Sequence, residues 1–330
     1  MAKRRSSVGG GLGCLLLIVL IVGGALWLSV YRNWTGPGPA RHPTTVVVAP
    51  GTTLAAAARE LERSGAVRST TGFLRFARYF GSSAPIRVGE YEVTPGMSAK
   101  HILALLQSGK TVQRLITIPE GMPSIEVFER LAREKLLKGK LPIPPEGSVL
   151  PGTYAFQRGE PRKAVLKRMQ DAMTQTLNQL WLTRKANTVV NSKAEALTLA
   201  AIVEKETGVA EERPMVAGVY SNRLRTGMRL QADPTIIYPL TKGKPLGRRI
   251  KLSEVRAKND YNTYAMTGLP AGPITNPGKD AIAAVLAPAQ TDALYFVADG
   301  KGGHVFASNL KDHNANVQRY YNLRKRQGTR

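Results

Sequence analysis

At 330 residues the chain is long enough for two modest globular units plus an anchor, because single cores usually stop growing near about 250 residues. Its 47 Lys and Arg against 23 Asp and Glu give a formal charge of +24, which suits nucleic acid, anionic lipid or an acidic polymer as a partner. The single cysteine, Cys14, excludes an intramolecular disulfide and a Cys-based zinc site, and histidines 42, 101, 304 and 313 lack ligand spacing, so neither a metal nor another cofactor is expected.

Gly9 to Val30 carries no charge, and that stretch makes about 33 Å of helix, enough to cross a bilayer core. Lys3, Arg4 and Arg5 precede it. The positive-inside rule therefore keeps residues 1–8 in the cytoplasm and places everything after Arg32 outside, with Trp27, Tyr31 and Trp34 as anchors at the far interface. A cleaved signal peptide is the rival, but the apolar run is long for one and no small-x-small cleavage site follows it. A position outside the cytoplasmic membrane removes chromosomal DNA and cellular RNA as partners. It leaves lipid headgroups and carboxylate-bearing wall polymers.

Residues 31–43, rich in Pro and Gly, read as an extended linker off the membrane. From Thr44 a strand at 46–48, a Pro50-Gly51 turn and a helix with Leu54, Ala58 and Leu61 at helical spacing form one unit. The same order returns in EYEVTPGMSAKHILALLQSG and, more loosely, in LITIPEGMPSIEVFERLARE, with Thr52 and Ser98 placed to cap helices. Residues 44–112 resemble a LysM-type glycan-binding module, 113–145 read as a connecting strand and helix, and 146–330 as a larger mixed domain. The expected fold class is α+β. Within the larger domain Lys163 to Leu182 reads as a long helix with Val165, Met169, Ala172 and Leu177 inward, and LYFVA near Tyr295 and Phe296 as a buried strand.

The run SKAEALTLAAIVEKET from Ser192 is made of strong helix formers and holds two carboxylates, Glu204 and Glu206, that cannot share a face. Glu206 falls with Leu199, Ile202 and Val203 at the apolar edge, where lost hydration raises a carboxyl pKa and leaves a proton to donate. The bland alternative is a salt bridge from Glu206 to Arg213 or Arg223. Against it stands the dense Asn, Gln, Asp, Tyr and Gly-Pro content that follows, the groups with which a cleft holds sugar hydroxyls and rings.

IVEKET, NRLRTGMRLQADPTIIY, YNTYAMTGLPAGPITNPG, YFVADGKGGHVFA and His313-Asn314 resemble, in that order, the YceG-like endolytic murein transglycosylases. The resemblance covers about Glu146 to Tyr321 and, more loosely, the region upstream. It implies non-hydrolytic cleavage of the β-1,4 bond between N-acetylmuramic acid and N-acetylglucosamine, with the glutamate before Thr, here Glu206, as acid/base. Peptidoglycan strands and the cytoplasmic membrane are the implied partners, with peptidoglycan synthases as candidates. By residue type and family position Asn222, Gln231, Tyr261 and Asn262 are expected to bind substrate. Asp233 is a candidate second carboxylate, although a DPT sequence more often caps a turn, and His304 is a candidate contact. Two rivals stay open: a non-catalytic glycan-binding scaffold and a muramidase that cuts the same bond with water.

Overall fold

A long apolar run with no charge favours helix wherever water is absent, and α1 (Val8–Thr35) forms over that segment in a computed structural model that describes residues 8–326. The basic residues Lys3, Arg4, Arg5 and Arg330 lie outside the described residues, as does the Cys14 side chain. Leu16–Thr35 is long and apolar enough to cross a membrane, and its side chains from Leu16 to Val22 are exposed.

The helix continues past Val30 to Thr35, and Trp34 is only 2 % exposed. Its indole packs against Phe73 and Phe76, each ring 6.3 Å away. Trp34 is thus a core residue and not the interfacial anchor that its place in the sequence suggested, because the rings of a later helix cover it. The expected linker is also stitched down. Gly38 N–H donates to Gly96 O and Gly96 N–H to Ala40 O, and a Cβ at Gly38 would stand 2.2 Å from Met97 O.

Two compact units divide at Arg114 and Leu115. In the first, β1 (Thr44–Val48), α2 (Leu54–Arg63), α3 (Thr70–Phe80) and β2 (Gly89–Val93) follow one another, with β1 and β2 antiparallel in the register Thr44 to Val93. α4 (Ala99–Ser108) follows. Thr53, not Thr52, caps α2 by accepting from Ala56 N–H, while Ser98 caps α4 as expected. Val46, Val48, Tyr91 and Val93 supply one sheet face and Leu61, Phe73, Ile102 and Leu106 the helix sides of one apolar core. α3, capped by Ser69, was not anticipated, although Phe73, Phe76 and Phe80 recur at helical spacing.

The second unit begins with β3 (Arg114–Ile118) and α5 (Ser124–Arg133), then β4 (Gly152–Phe156), which pairs with β3. The segment expected as a connector is therefore a layer of this unit: Ile116, Ile118, Val127 and Leu131 share a core with Val165 and Met169 of α6 (Arg162–Leu182). Met173, not Ala172, continues the buried side of α6. α7 (Lys193–Glu206), capped by Ser192, packs against α8 (Arg213–Arg225), α9 (Pro234–Thr241) and, after the short α10 (Leu252–Val255), α11 (Lys279–Leu286). A hairpin of β5 (Tyr295–Ala298) and β6 (His304–Ala307) and then α12 (Leu310–Arg326) complete the unit. β5 is half-buried along its length, less covered than expected, because no sheet beyond the two-stranded hairpin packs on it among the described residues.

Candidate functional site

The middle of α7 is apolar on every side: Leu199, Ala200, Ala201, Ile202 and Val203 are all 0 % exposed. An apolar edge that isolates Glu206 from Glu204 does not exist, since neighbours on three helices cover the element. What separates the two acids is their partners. The Glu204 side chain is 5 % exposed, and its Oε1 lies 3.4 Å from Arg213 Nη2 while its Oε2 accepts from Gly278 N–H at 2.9 Å. Burial raises its pKa, and the Gly278 bond and the Arg213 charge pull against that rise.

Glu206, at the C-terminal end of α7, has no ion pair among the described residues, and its Oε1 is buried without a hydrogen-bond partner. Burial, and after it the negative charge of Asp233, pushes its pKa up to about 7, against the Tyr220 hydroxyl and the Arg223 charge, which lower it. Such a carboxyl holds its proton near neutrality and can give it up, the requirement for a general acid. The salt-bridge alternative fails for both candidates: Arg213 holds Glu204 and Glu120 (3.0 Å), and Arg223 donates from Nε to Leu294 O and from Nη1 to Leu230 O, each at 2.7 Å.

Tyr220, on α8, is 1 % exposed and presents its hydroxyl to Glu206. Tyr264 Oη donates to Asp233 Oδ1 at 2.6 Å, which keeps the second carboxyl beside the first. Tyr220 and Tyr264 are site residues that the sequence reading did not single out. Tyr220 and Arg223, three apart on one helix, share a face, and that spacing was a usable signal. The Tyr264 contact spans 31 residues of sequence and gives no local sign.

The expected substrate-binding residues separate into two kinds. Asn262 is 0 % exposed, its Nδ2 donates to Glu254 O, Val255 O and Ala257 O, and its Oδ1 accepts from Tyr264 N–H. With its carboxamide consumed, Asn262 braces the turn that carries Tyr261 and Tyr264 and has nothing left for a sugar. Asn222 is spent likewise, donating to Thr291 O and Ala293 O and accepting from Arg225. Gln231 is exposed, holds the left-handed conformation at φ 54, and its side chain has no hydrogen bond among the described residues. Tyr261 is half-buried with its ring 4.8 Å from Tyr238, whose hydroxyl reaches Glu146. Gln231 thus keeps a carboxamide to offer, whereas the Tyr261 hydroxyl is shared with Tyr238 and leaves its ring; the two residues flank Asp233 and Tyr264 in the chain. A pocket of about 400 Å³ is lined by Lys205, Pro234, Ile237 and Ile274, of which Lys205 and Pro234 are the chain neighbours of Glu206 and Asp233; neither acid lines it. Among the described residues no cluster of three or more His, Cys, Asp or Glu is placed to hold a metal.

Comparison with known proteins gives this arrangement its family. The model of the YceG-like family matches residues 46–319. The endolytic murein transglycosylase of Bacillus subtilis (strain 168) is 31 % identical over 337 residues, covering 91 % of each chain. That of Streptococcus pneumoniae serotype 2 (strain D39) is 30 % identical over 84 % of this chain and 58 % of its own. The 2.6 Å crystal structure of a yceG-like protein of Listeria monocytogenes superposes with a TM-score of 0.53 at 27 % identity, over 84 % of this chain and 99 % of that one. The residues around Glu206 therefore sit in a chain that belongs to the YceG-like family, the endolytic murein transglycosylases.

Proposed function

We propose that the protein cleaves the β-1,4 bond between N-acetylmuramic acid and N-acetylglucosamine inside peptidoglycan strands and leaves 1,6-anhydro-muramic ends, with Glu206 as the only acid/base. The single observation that carries this reading is a buried carboxyl whose Oε1 has no hydrogen-bond partner among the described residues, a setting that pushes its pKa up to about 7. Protonated Glu206 gives its proton to the glycosidic oxygen as the C1–O bond breaks. The resulting carboxylate then takes the proton of the muramic C6 hydroxyl as O6 bonds to C1, which restores the acid and consumes no water. Tyr220 orients the carboxyl, and burial, with the charge of Asp233 after it, keeps it protonated until the leaving oxygen arrives. Gln231, by its free carboxamide, and Tyr261, by its ring, hold the strand.

The presence of Asp233 favours one second reading, a hydrolytic muramidase, in which a second carboxylate activates water. The Tyr264 bond to Oδ1 counts against it by holding that acid in place as a charge. A glycan-binding scaffold is the non-enzymatic rival. Support for wall strands as substrate comes from the name of the Bacillus subtilis relative.

In the same reading α1 is a single-pass anchor with its N-terminus in the cytoplasm, and the second unit works outside the membrane. The β1-α2-α3-β2 order suits a LysM-like glycan-binding module. Since Trp34 seats the end of α1 in that module's core, the module stays at the membrane surface, where cutting newly made strands would terminate their elongation. Peptidoglycan synthases, which make those strands, are the candidate protein partners.

Mass analysis of muropeptides released by the full-length protein, beside its Glu206→Gln variant, tests the chemistry. Anhydro ends from the parent alone are expected. Reducing ends would make it a hydrolase, and no cleavage by either would leave the scaffold.

A further inference from the structure

One titratable pair beside Glu206 has no task in this mechanism. His304 opens β6, its Nδ1 lies 2.7 Å from Glu212 Oε2, and its backbone N–H donates to Glu212 Oε1 at 2.7 Å. Glu212 Oε2 also accepts from Thr207 Oγ1 at 3.1 Å, and Thr207 directly follows Glu206. On its other side His304 meets Phe296 edge-on at 5.3 Å, and Phe296 meets Tyr220 edge-on at 5.8 Å. Since the Tyr220 hydroxyl faces the Glu206 carboxyl, these contacts close a ring that fixes the imidazole in the wall around the acid.

The ring also sets which nitrogen is free. Burial alone would raise the pKa of Glu212, but the His304 and Thr207 bonds outweigh it and hold the group below the usual carboxylate value. A carboxylate at Nδ1 selects the tautomer with its proton there, the one that leaves the lone pair on Nε2. Among the described residues Nε2 has no hydrogen-bond partner, and the side chain is 16 % exposed. The preceding turn is shaped for this approach. Asp299 Oδ1 accepts from Lys301 and Gly303 N–H, and a Cβ at Gly303 would lie 2.6 Å from Glu212 Oε1, displacing the carboxylate from His304.

We propose that His304 is a substrate-binding residue of the Glu206 site, its Nε2 accepting a hydrogen bond from a hydroxyl or acetamido N–H of the amino-sugar strand while Glu212 fixes its tautomer. The inference rests on the reading of Glu206 as the acid of a glycan-cleaving site. An acceptor that contacts a group away from the breaking bond serves ground state and transition state equally, so its loss appears in KM and not in kcat.

The first test leaves His304 intact. Full-length Glu206→Gln protein labelled uniformly with ¹⁵N is titrated with soluble peptidoglycan strands and followed by NMR. The Nε2 resonance of His304 is expected to move with saturation while Nδ1 keeps its proton. If other resonances respond and His304 does not, the inference fails and the reading of the site stands; if none responds, both fail. In kinetics, His304→Ala is expected to raise KM about five- to tenfold, the loss of one hydrogen bond, with kcat within about twofold of the parent. His304→Gln, which retains a side-chain acceptor, is expected to recover most of that loss. A drop in kcat at unchanged KM in both variants would overturn the proposal.

Discussion

The last turn of α7 presents two acids two residues apart whose surroundings have opposite uses. Glu204 is buried and answered: Arg213, the Gly278 amide and, through Arg213, Glu120 and Asp280 make a closed ionic knot between α7, α8 and α11. Glu206 is buried and unanswered at Oε1, with a tyrosine hydroxyl on one side and a like charge nearby. Buried acids alone are not evidence of catalysis, because a satisfied one contributes to structure. A proton is available for chemistry only where the protein declines to pair the charged form.

Exchanging Glu206 for Gln probes that difference most strongly. Loss of the general acid is expected to lower kcat by about 10²–10⁴-fold with the fold intact. The same variant reverses sign in stability. The native pKa of Glu206, about 7, lies above its unfolded value, so ionising it weakens the native state progressively as pH rises between those two values. Glu206→Gln should therefore be more stable than the parent by about 1–3 kcal/mol at pH 8 and indistinguishable from it below about pH 4, as read by denaturant midpoints. A variant that lost activity and stability together at pH 8 would place Glu206 with Glu204, as structure.

Breaking the other side should show the inverse. Arg213→Met leaves Glu204 buried without its cation and is expected to cost about 3–5 kcal/mol, with kcat per folded molecule changed only severalfold. Thermal unfolding and activity measured on the same preparation separate the two effects. If stability were unchanged and turnover lost, Glu204 and not Glu206 would carry the proton.

How the sequence foretold this pair is itself instructive. The helix that begins after Ser192 was legible because its residues are strong helix formers, and Glu206 was singled out as the candidate acid because it lies in a motif. The argument that Glu206 alone sits at an apolar edge was not sound, since Ala200 and Ala201 are as buried as Leu199 and Ile202. Helical periodicity reports one buried face and is silent about a helix covered on all sides. The partners that do decide the matter lie far along the chain: Gly278 is 74 residues from Glu204, and Glu120 is 93 from Arg213. Asn262 shows the same limit from the other direction. Its residue type suits a sugar ligand, but three backbone carbonyls that turn toward it only in the fold make it a brace. In the first unit the strands and two helices were readable from alternation and caps, whereas Trp34 was misplaced because rings 39 and 42 residues later cover it.

Asp233→Asn sharpens the comparison by altering only the charge that Glu206 faces. Removing that charge lets the Glu206 pKa fall from about 7, so the alkaline limb of kcat/KM should move to lower pH. Tyr220→Phe acts oppositely, because its hydroxyl lowers the pKa, and should move the limb upward. In a lytic mechanism both variants remain active at acidic pH and still yield anhydro ends. Complete loss in Asp233→Asn at every pH would instead assign it the water-activating role of a hydrolase.

The smallest effect separates the residues around these acids into those that hold the fold and those that hold the strand. Gln231 spends its backbone N–H on Thr263 O and leaves its carboxamide exposed, so Gln231→Ala removes a hydrogen-bonding group without uncovering any buried partner. The alanine must still adopt a positive φ, which costs about 1 kcal/mol and bounds any change in stability. KM for glycan strands should rise about five- to tenfold with kcat nearly unchanged. Asn262→Ala should do the reverse, unfolding at lower denaturant with KM unaffected in the folded fraction, because the three carbonyls it serves lose their donor. Should Gln231→Ala leave KM untouched, the strand would have to be gripped elsewhere, and Tyr261, with its ring set against Tyr238, is the next residue to exchange.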